Sequence, residues 1–302
     1  NIKIFITLVI KMKNKEKLVS IILNCYNSEQ YLRETLTSVR NQTYKNWELI
    51  FWDNRSTDKS KIIFKSFKNN KFKYFKAKKH TNLYTARNLA MKKVKSVFVS
   101  FIDADDTWEK DKLKLQIKLF EDKEVGVVYG NSWLKKEPSK KRKKFINYKM
   151  KEGYIYNDLI RKYNVGILTA VIKLSFLKKI KFNNRYSVIG DYDLFLNLSK
   201  KFKFKVVQKP IATYRIHANN LSITKKEKEI YELNDWFKNN KKNLDKQERK
   251  IIRRKITQLS FYALKFKSNF IETFIFFLKS FNLILKFKNI LVLFLPKIFL
   301  KK

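Results

Sequence analysis

The sequence predicts an α/β protein with a mostly parallel central sheet and helices on both of its faces. Short apolar runs rich in β-branched residues recur at 18–23, 47–52, 97–102 and 125–129. Runs this brief between polar flanks are strands rather than helices. Segments with apolar residues at helical spacing lie between them, and strand alternating with helix is the signature of parallel pairing through crossover helices. The 302 residues, 44% of them hydrophobic, suffice to bury a large core.

Residues 18–23 form the first strand. Ser28 then caps a helix carrying Tyr31, Leu32, Leu36 and Val39 at helical spacing, and 47–52 is the second strand. A helix from about Ser56, a strand over 72–75 and a helix over 85–95 lead to the run 97–102. A helix with Leu113, Leu115, Ile117 and Leu119 precedes the strand 125–129. Residues 131–152, lysine-rich and containing Pro138, read as an exposed loop into the second half of the domain. Beyond Ser222 the chain turns helical, first charged and then rich in Phe, Leu, Ile and Lys. The expected domains are an N-terminal extension over 1–17, an α/β domain over 18–222 and a basic amphipathic helical tail over 223–302.

The run 97–102 delivers Asp103, Asp105 and Asp106, three carboxylates in four residues. Like charges at the end of an apolar strand repel one another and lose hydration, so a fold keeps them where a cation gathers them. Hard oxygen ligands suit Mg²⁺ or Mn²⁺, which bridges carboxylates to substrate phosphates. The plainer alternative is a solvated acidic turn capping the helix that starts near Glu109. Parallel sheets bind ligands beyond the carboxyl ends of their strands. Asn24, Asp53 and Asp103 each end a separate strand, and three such ends favour a binding crevice over three unrelated turns.

The formal charge of +43 suggests an anionic partner such as nucleic acid or membrane lipid. The excess is spread along the whole chain at similar density and is dominated by lysine, as a general compositional bias produces, so no specific nucleic-acid partner is expected. The single cysteine, Cys25, excludes an internal disulfide and a Cys-rich metal site and fits a reducing compartment, the cytoplasm. With two histidines a His-based zinc site is not expected either. The apolar run over 4–10 is too short to span a bilayer and lacks a small-residue cleavage pattern, so no signal peptide is assigned.

The residues Val19-Ser20-Ile21-Ile22-Leu23-Asn24-Cys25-Tyr26-Asn27, then Tyr31-Leu32 and Ser38-Val39-Arg40-Asn41-Gln42-Thr43-Tyr44, resemble the opening of the family 2 inverting glycosyltransferases. Asp53-Asn54-Arg55-Ser56-Thr57-Asp58, Ala86-Arg87-Asn88, Asp103-Ala104-Asp105-Asp106, Gly190-Asp191-Tyr192-Asp193-Leu194 and Tyr214-Arg215-Ile216-His217 follow in the family's order. The resemblance spans about 18–222. It implies a GT-A fold that transfers a sugar from a nucleotide diphosphate donor to a saccharide or lipid-linked acceptor with inversion, in cell-surface polysaccharide synthesis. It also implies residue roles. Asn24, Tyr26, Asp53, Arg87 and Asp103 belong to the nucleotide site, Asp105, Asp106 and His217 to the Mg²⁺ or Mn²⁺ site, Arg215 to the diphosphate, and Asp191 is the catalytic base. This chain departs from the family pattern in having Asn54-Arg55 where Asp-Gly is commoner, Asn82 where a glycine often stands, and Gly190 before Asp191 in place of Glu.

Plainer readings compete at several positions. Asp191 and Asp193 suit caps for an apolar helix over 194–198, and His217 alone suits an ordinary loop. His80 has no supporting motif, and Cys25 has no adjacent histidine to make it a nucleophile. Tyr154, Tyr156 and Tyr163 suit either sugar stacking or the packing of a helix over 154–163. In the tail, Phe274, Phe277, Leu278, Phe281 and Leu285 fall at helical spacing, and lysines interrupt every apolar run. That pattern predicts peripheral docking on the inner face of the cell membrane without crossing it, with packing on protein as the alternative. A non-enzymatic basic module that binds membrane or nucleic acid is the competing reading of the whole chain.

Overall fold

The first apolar runs become Val19–Cys25 (β1), Trp47–Asp53 (β2), Phe72–Lys76 (β3) and Phe98–Asp103 (β4), which pair in parallel in the order β3-β2-β1-β4. β1, β2 and β4 are buried along nearly their whole length. That explains why they read as continuous apolar runs rather than alternating ones. β3 forms the edge, and its half-exposed pattern with Lys73 and Lys76 suits a position with one free flank.

The computed structural model describes residues 17–265, and in it the sheet continues beyond β4 with mixed polarity. Thr107–Trp108 (β5), Val125–Lys136 (β6), Arg142–Lys144 (β7), Val171–Lys173 (β8) and Lys203–Ile216 (β9) complete a nine-stranded sheet, ordered β3-β2-β1-β4-β8-β6-β9-β5 with β7 beside β6. β8 runs antiparallel to both β4 and β6, β6 and β9 are parallel, and β5 is antiparallel to β9. Much of the stretch read as a loop over 131–152 is therefore strand. Lys135 and Lys136 sit on the far part of β6, and Lys143 and Lys144 on the exposed β7.

The helices of the first part are Leu32–Arg40 (α1), Ser60–Ser66 (α2), Leu83–Met91 (α3) and Lys112–Ile117 (α4). α1 buries Leu32, Thr35, Leu36 and Val39, one face of a 3.6-residue repeat. It begins later than Ser28, whose carbonyl accepts the N–H groups of Tyr31 and Leu32 while its hydroxyl turns back to the Tyr26 carbonyl. α3 starts at Leu83 because Asn82 caps it, its Oδ1 accepting the Thr85 N–H at 2.8 Å. Phe51 stacks on Tyr74 and Phe64 on Phe72, and the two buried rings, Phe51 and Phe64, contribute roughly 1.5–3 kcal/mol each.

Further along the chain come Tyr156–Arg161 (α5), Leu174–Lys179 (α6), Gly190–Ser199 (α7), Leu221–Thr224 (α8), Lys226–Asn240 (α9) and Lys246–Lys265 (α10). The chain divides into two units. The first comprises the chain to Tyr156 together with Asn164–Arg185 and Asp193–Ile216, and it holds the whole sheet. The second comprises Asn157–Tyr163, Tyr186–Tyr192 and the chain from His217 onward. In the second unit α9 and α10 pack on each other, burying Ile230, Leu233, Trp236 and Phe237 with Ile252 and Ile256. No helix among the described residues is long and apolar enough to cross a membrane. The stretch 261–302 expected to dock on lipid falls almost entirely outside those residues, as does the extension over 1–16.

Candidate active site

The carboxyl edge of the parallel strands aligns the expected residues. Asn24 pairs in register with Trp52 on one side and Asp103 on the other, and Cys25 pairs with Asp53. Both polar side-chain atoms of Asn24 are buried without a hydrogen-bond partner among the described residues. An unsatisfied buried polar group costs about 1–3 kcal/mol, and such a group at a strand end calls for a ligand to complete it.

The loops that follow β1 and β2 are knitted by short polar side chains. Asn27 Oδ1 accepts the Thr57 N–H at 2.8 Å, Ser60 Oγ accepts the Ser28 N–H at 3.0 Å, and Asp58 accepts that of Glu29 at 2.8 Å. Asp53 is 1% exposed, its Oδ1 accepting the Ser56 N–H and its Oδ2 the Tyr74 hydroxyl. Burial, and then this bond to Asp53, push the Tyr74 phenol well above its usual range. Asn54 ties in the segment before α3: its amide donates to the Thr81 carbonyl at 2.7 Å, and its oxygen accepts the Thr81 N–H. An aspartate could not make the first of these bonds, so this departure has a local reason. Arg55 adopts φ 74°, the left-handed region that favours glycine. Tyr26 is half exposed, its ring 4.2 Å from that of His80, whose Nδ1 lies 3.0 Å from the Asn54 carbonyl oxygen.

Beyond β4 the acidic turn is held from three directions. Arg87, 2% exposed on α3 among the rings of Tyr84, Phe101 and Phe182, donates to Asp103 Oδ1 at 2.6 Å. The Thr35 hydroxyl of α1 is shared between the carbonyl oxygens of Asp106 (2.8 Å) and Ala104 (3.0 Å). From β9, the Arg215 N–H donates to Asp106 Oδ1 at 2.9 Å and its Nε to the Asp105 carbonyl at 2.8 Å. The Arg215 guanidinium is in turn gripped by Glu34 and Glu137 and lies over the Tyr31 ring. Asp106 is 1% exposed, and its Oδ2 has no hydrogen-bond partner among the described residues. Burial, and then the charges of Asp105 and Asp103, push its carboxyl well above the usual carboxylate range.

No group of three or more His, Cys, Asp or Glu side chains that could hold a metal ion is assembled among the described residues. The donor chemistry of the acidic turn nevertheless suits a hard divalent cation. It offers three carboxylates in four residues, one of them with a buried oxygen that no described residue hydrogen-bonds. Burial pushes the Cys25 thiol up from its ordinary pKa, which disfavours the reactive thiolate.

Asp191 and His217 belong to the second unit. Asp191 lies in the first turn of α7, which begins at Gly190 rather than at Leu194, and its Oδ1 accepts the Tyr192 N–H at 2.9 Å. The His217 N–H donates to Asn220 Oδ1, and the Asn220 N–H returns to the His217 carbonyl at 3.1 Å. Sequence reasoning passed over the residues that hold others in place, Thr35, Glu34 and Glu137 around the acidic turn and Glu232 before α7, and it set aside His80, which lies beside Tyr26. Thr35 alone had a signal, as a polar residue within the apolar face of α1.

The family model described as Glycosyl transferase family 2 matches residues 20–182. The Escherichia coli protein named UDP-Glc:alpha-D-GlcNAc-diphosphoundecaprenol beta-1,3-glucosyltransferase WfaP is 30% identical over 213 residues, covering 69% of this chain and 81% of its own. The Bacillus subtilis protein named putative teichuronic acid biosynthesis glycosyltransferase TuaG is 28% identical over 217 residues, covering 71% and 85%. Among solved structures, S. aureus TarS 1-349 in complex with UDP-GlcNAc is similar with a TM-score of 0.62 at 18% identity, covering 87% of this chain and 79% of that one. At that identity the likeness concerns the fold.

Proposed function

The chain belongs to glycosyl transferase family 2, and from that premise we propose that it moves a sugar from a nucleoside diphosphate donor onto a saccharide or lipid-linked acceptor, with inversion, in the synthesis of a cell-surface polysaccharide. The observation that carries the reading is the row Asn24, Asp53 and Asp103 on three adjacent parallel strands, ending in the unsatisfied carboxylate oxygen of Asp106. Asn24, Tyr26, Asp53, Arg87 and Asp103 form the nucleotide site in this proposal, with Arg87 acting by fixing Asp103. Asp105 and Asp106 would hold Mg²⁺ or Mn²⁺, which when bound would offset the negative charge on the departing diphosphate. Arg215 fixes the Asp105–Asp106 turn and adds its own positive charge on the diphosphate side.

In the displacement, the acceptor oxygen bonds to the anomeric carbon as the bond from that carbon to the phosphate oxygen breaks. Asp191 takes the acceptor's hydroxyl proton while this happens, and the nucleoside diphosphate leaves with the bonding electron pair. A direct displacement of this kind inverts the anomeric centre. The similarity to a protein named for UDP-Glc makes UDP-sugars the first donors to try. A lipid-linked acceptor places the reaction at the cytoplasmic face of the membrane, where the basic, aromatic stretch 261–302 gives peripheral attachment. The reading as a non-enzymatic basic module rested on charge alone and is set aside.

The test is a panel of UDP- and GDP-sugars with Mg²⁺ or Mn²⁺, scored by thermal shift and by release of nucleoside diphosphate. Stabilisation by one donor family and acceptor-dependent release are expected. A chain stabilised by no donor, with or without cation, would overturn the proposal.

A further inference from the structure

The second unit gathers its charged and aromatic side chains around one short segment, Tyr186–Tyr192, which contains Asp191. Glu232, on α9, is 3% exposed. Its Oε1 accepts the N–H of Ser187 at 2.7 Å, and its Oε2 accepts those of Val188 at 2.8 Å and Ile189 at 3.1 Å. A buried carboxylate is tolerable only when such donors surround it, and three backbone N–H groups in a row are a strong, charge-assisted set. They are the three residues immediately before Gly190, where α7 begins, so the clamp sets the angle at which the chain enters the helix turn bearing Asp191.

Neighbouring contacts repeat the pattern. The Tyr186 hydroxyl reaches Asp235 Oδ2 of α9 at 3.4 Å. The Tyr192 ring meets Trp236 of α9 edge-on at 5.5 Å and Tyr163 at 5.2 Å. From α10, Lys255 Nζ lies over the Tyr192 ring, 4.3 Å from its centroid, and 5.8 Å from that of Tyr163. Burial pulls the pKa of this ammonium below its ordinary value, and the negative charges of Glu229 and Asp191 act against that shift. Asp191 is thus bracketed in sequence by segments fixed to α9, with a lysine of α10 seated on the ring of the next residue, Tyr192, and feeling the charge of the Asp191 carboxylate.

We infer that the C-terminal helical pair presents the catalytic carboxylate, with Glu232 and Lys255 as positioning residues for Asp191. This rests on the reading of Asp191 as the base. Glu232 fixes the backbone on which Asp191 stands, and Lys255 fixes the direction of its side chain by charge. Misplacing a reacting group by about 1 Å can cost on the order of a hundredfold in rate, so both residues act on turnover rather than on donor binding.

The test compares full-length Glu232→Gln, Lys255→Met, Lys255→Arg and Asp191→Asn chains for kcat, donor KM, nucleoside diphosphate affinity and thermal unfolding. Glu232→Gln puts an amide N–H₂ against backbone N–H groups and is expected to lower kcat about tenfold or more, with nucleotide affinity held within about twofold. Lys255→Met is expected to do the same, and Lys255→Arg to recover most of the loss. If Glu232→Gln fails to fold, the Lys255 pair carries the test. Wild-type kcat in Lys255→Met, or a fall only in proportion to unfolded protein and without recovery in Lys255→Arg, would overturn the inference while leaving Asp191 as the base. Turnover surviving in Asp191→Asn would instead overturn the reading on which it rests.

Discussion

At the scale of single residues, the site is defined by groups that the protein alone leaves unmatched. Asp106 is the clearest: it is buried, its Oδ2 lacks a partner among the described residues, and neighbouring carboxylates oppose its ionisation. Replacing it with asparagine removes a charge that the apo protein accommodates poorly, while Oδ1 can still accept the Arg215 N–H. Asp106→Asn is therefore expected to keep or raise the unfolding temperature of the cation-free protein and to abolish most sugar transfer. Full turnover in this variant, or in excess chelator, would remove Asp106 from the metal site. Arg55 makes a different case. At φ 74° its side chain crowds the backbone, and the left-handed conformation costs a non-glycine residue about 1–2 kcal/mol. Part of that gain is returned through the freer unfolded chain, so Arg55→Gly is expected to stabilise by about 0.5–1 kcal/mol in urea unfolding.

At the scale of elements, α4 buries a lysine where an apolar residue would do. The Lys112 ammonium donates to Ser100 Oγ at 3.0 Å and lies 3.9 Å from the centre of the Trp108 ring, and burial pulls its pKa well down. Between that depressed value and the ordinary value near ~10.4, the folded protein binds fewer protons than the unfolded chain. Stability should therefore rise with pH across that window and fall as pH drops through the folded value. Lys112→Met should flatten that slope and stabilise most at the acid end, as read from unfolding curves at several pH values. The sequence made β1, β2 and β4 legible because burial on both faces leaves uninterrupted apolar runs. β9 escaped because lysines and Pro210 break its pattern, and the ladder tolerates that proline at a register shift against Asn131. The three-residue β8 carries too little pattern to be read at all. Likewise the carboxylates at strand ends were legible from their position. Glu34, Glu137 and Glu232 were not, because each acts on residues far away in the chain and no local periodicity marks it.

At the scale of the whole molecule, two levels of attachment are expected. The described helices α9 and α10 are proposed to position Asp191, and the lysine- and phenylalanine-rich stretch beyond Lys265 is the proposed membrane contact. Deleting residues 266–302 should release the protein from vesicles containing anionic lipid while leaving affinity for the soluble donor intact, as measured by vesicle sedimentation and nucleotide titration. Retained vesicle binding would move the contact to the rest of the basic surface. The pin that Arg215 drives through the acidic turn bears on how the protein is made. The acidic turn has been synthesised by residue 106, yet Arg215, whose N–H and Nε hold Asp106 and the Asp105 carbonyl, lies on the last strand of the sheet. Closing so long a loop is entropically slow, and chains rich in non-local pairings fold late. A ribosome that has released the first parallel strands thus holds a nascent chain with a sheet but an unformed pocket. Nucleotide affinity should appear in arrested chains only once β9 has cleared the exit tunnel, well after protease resistance of the first strands.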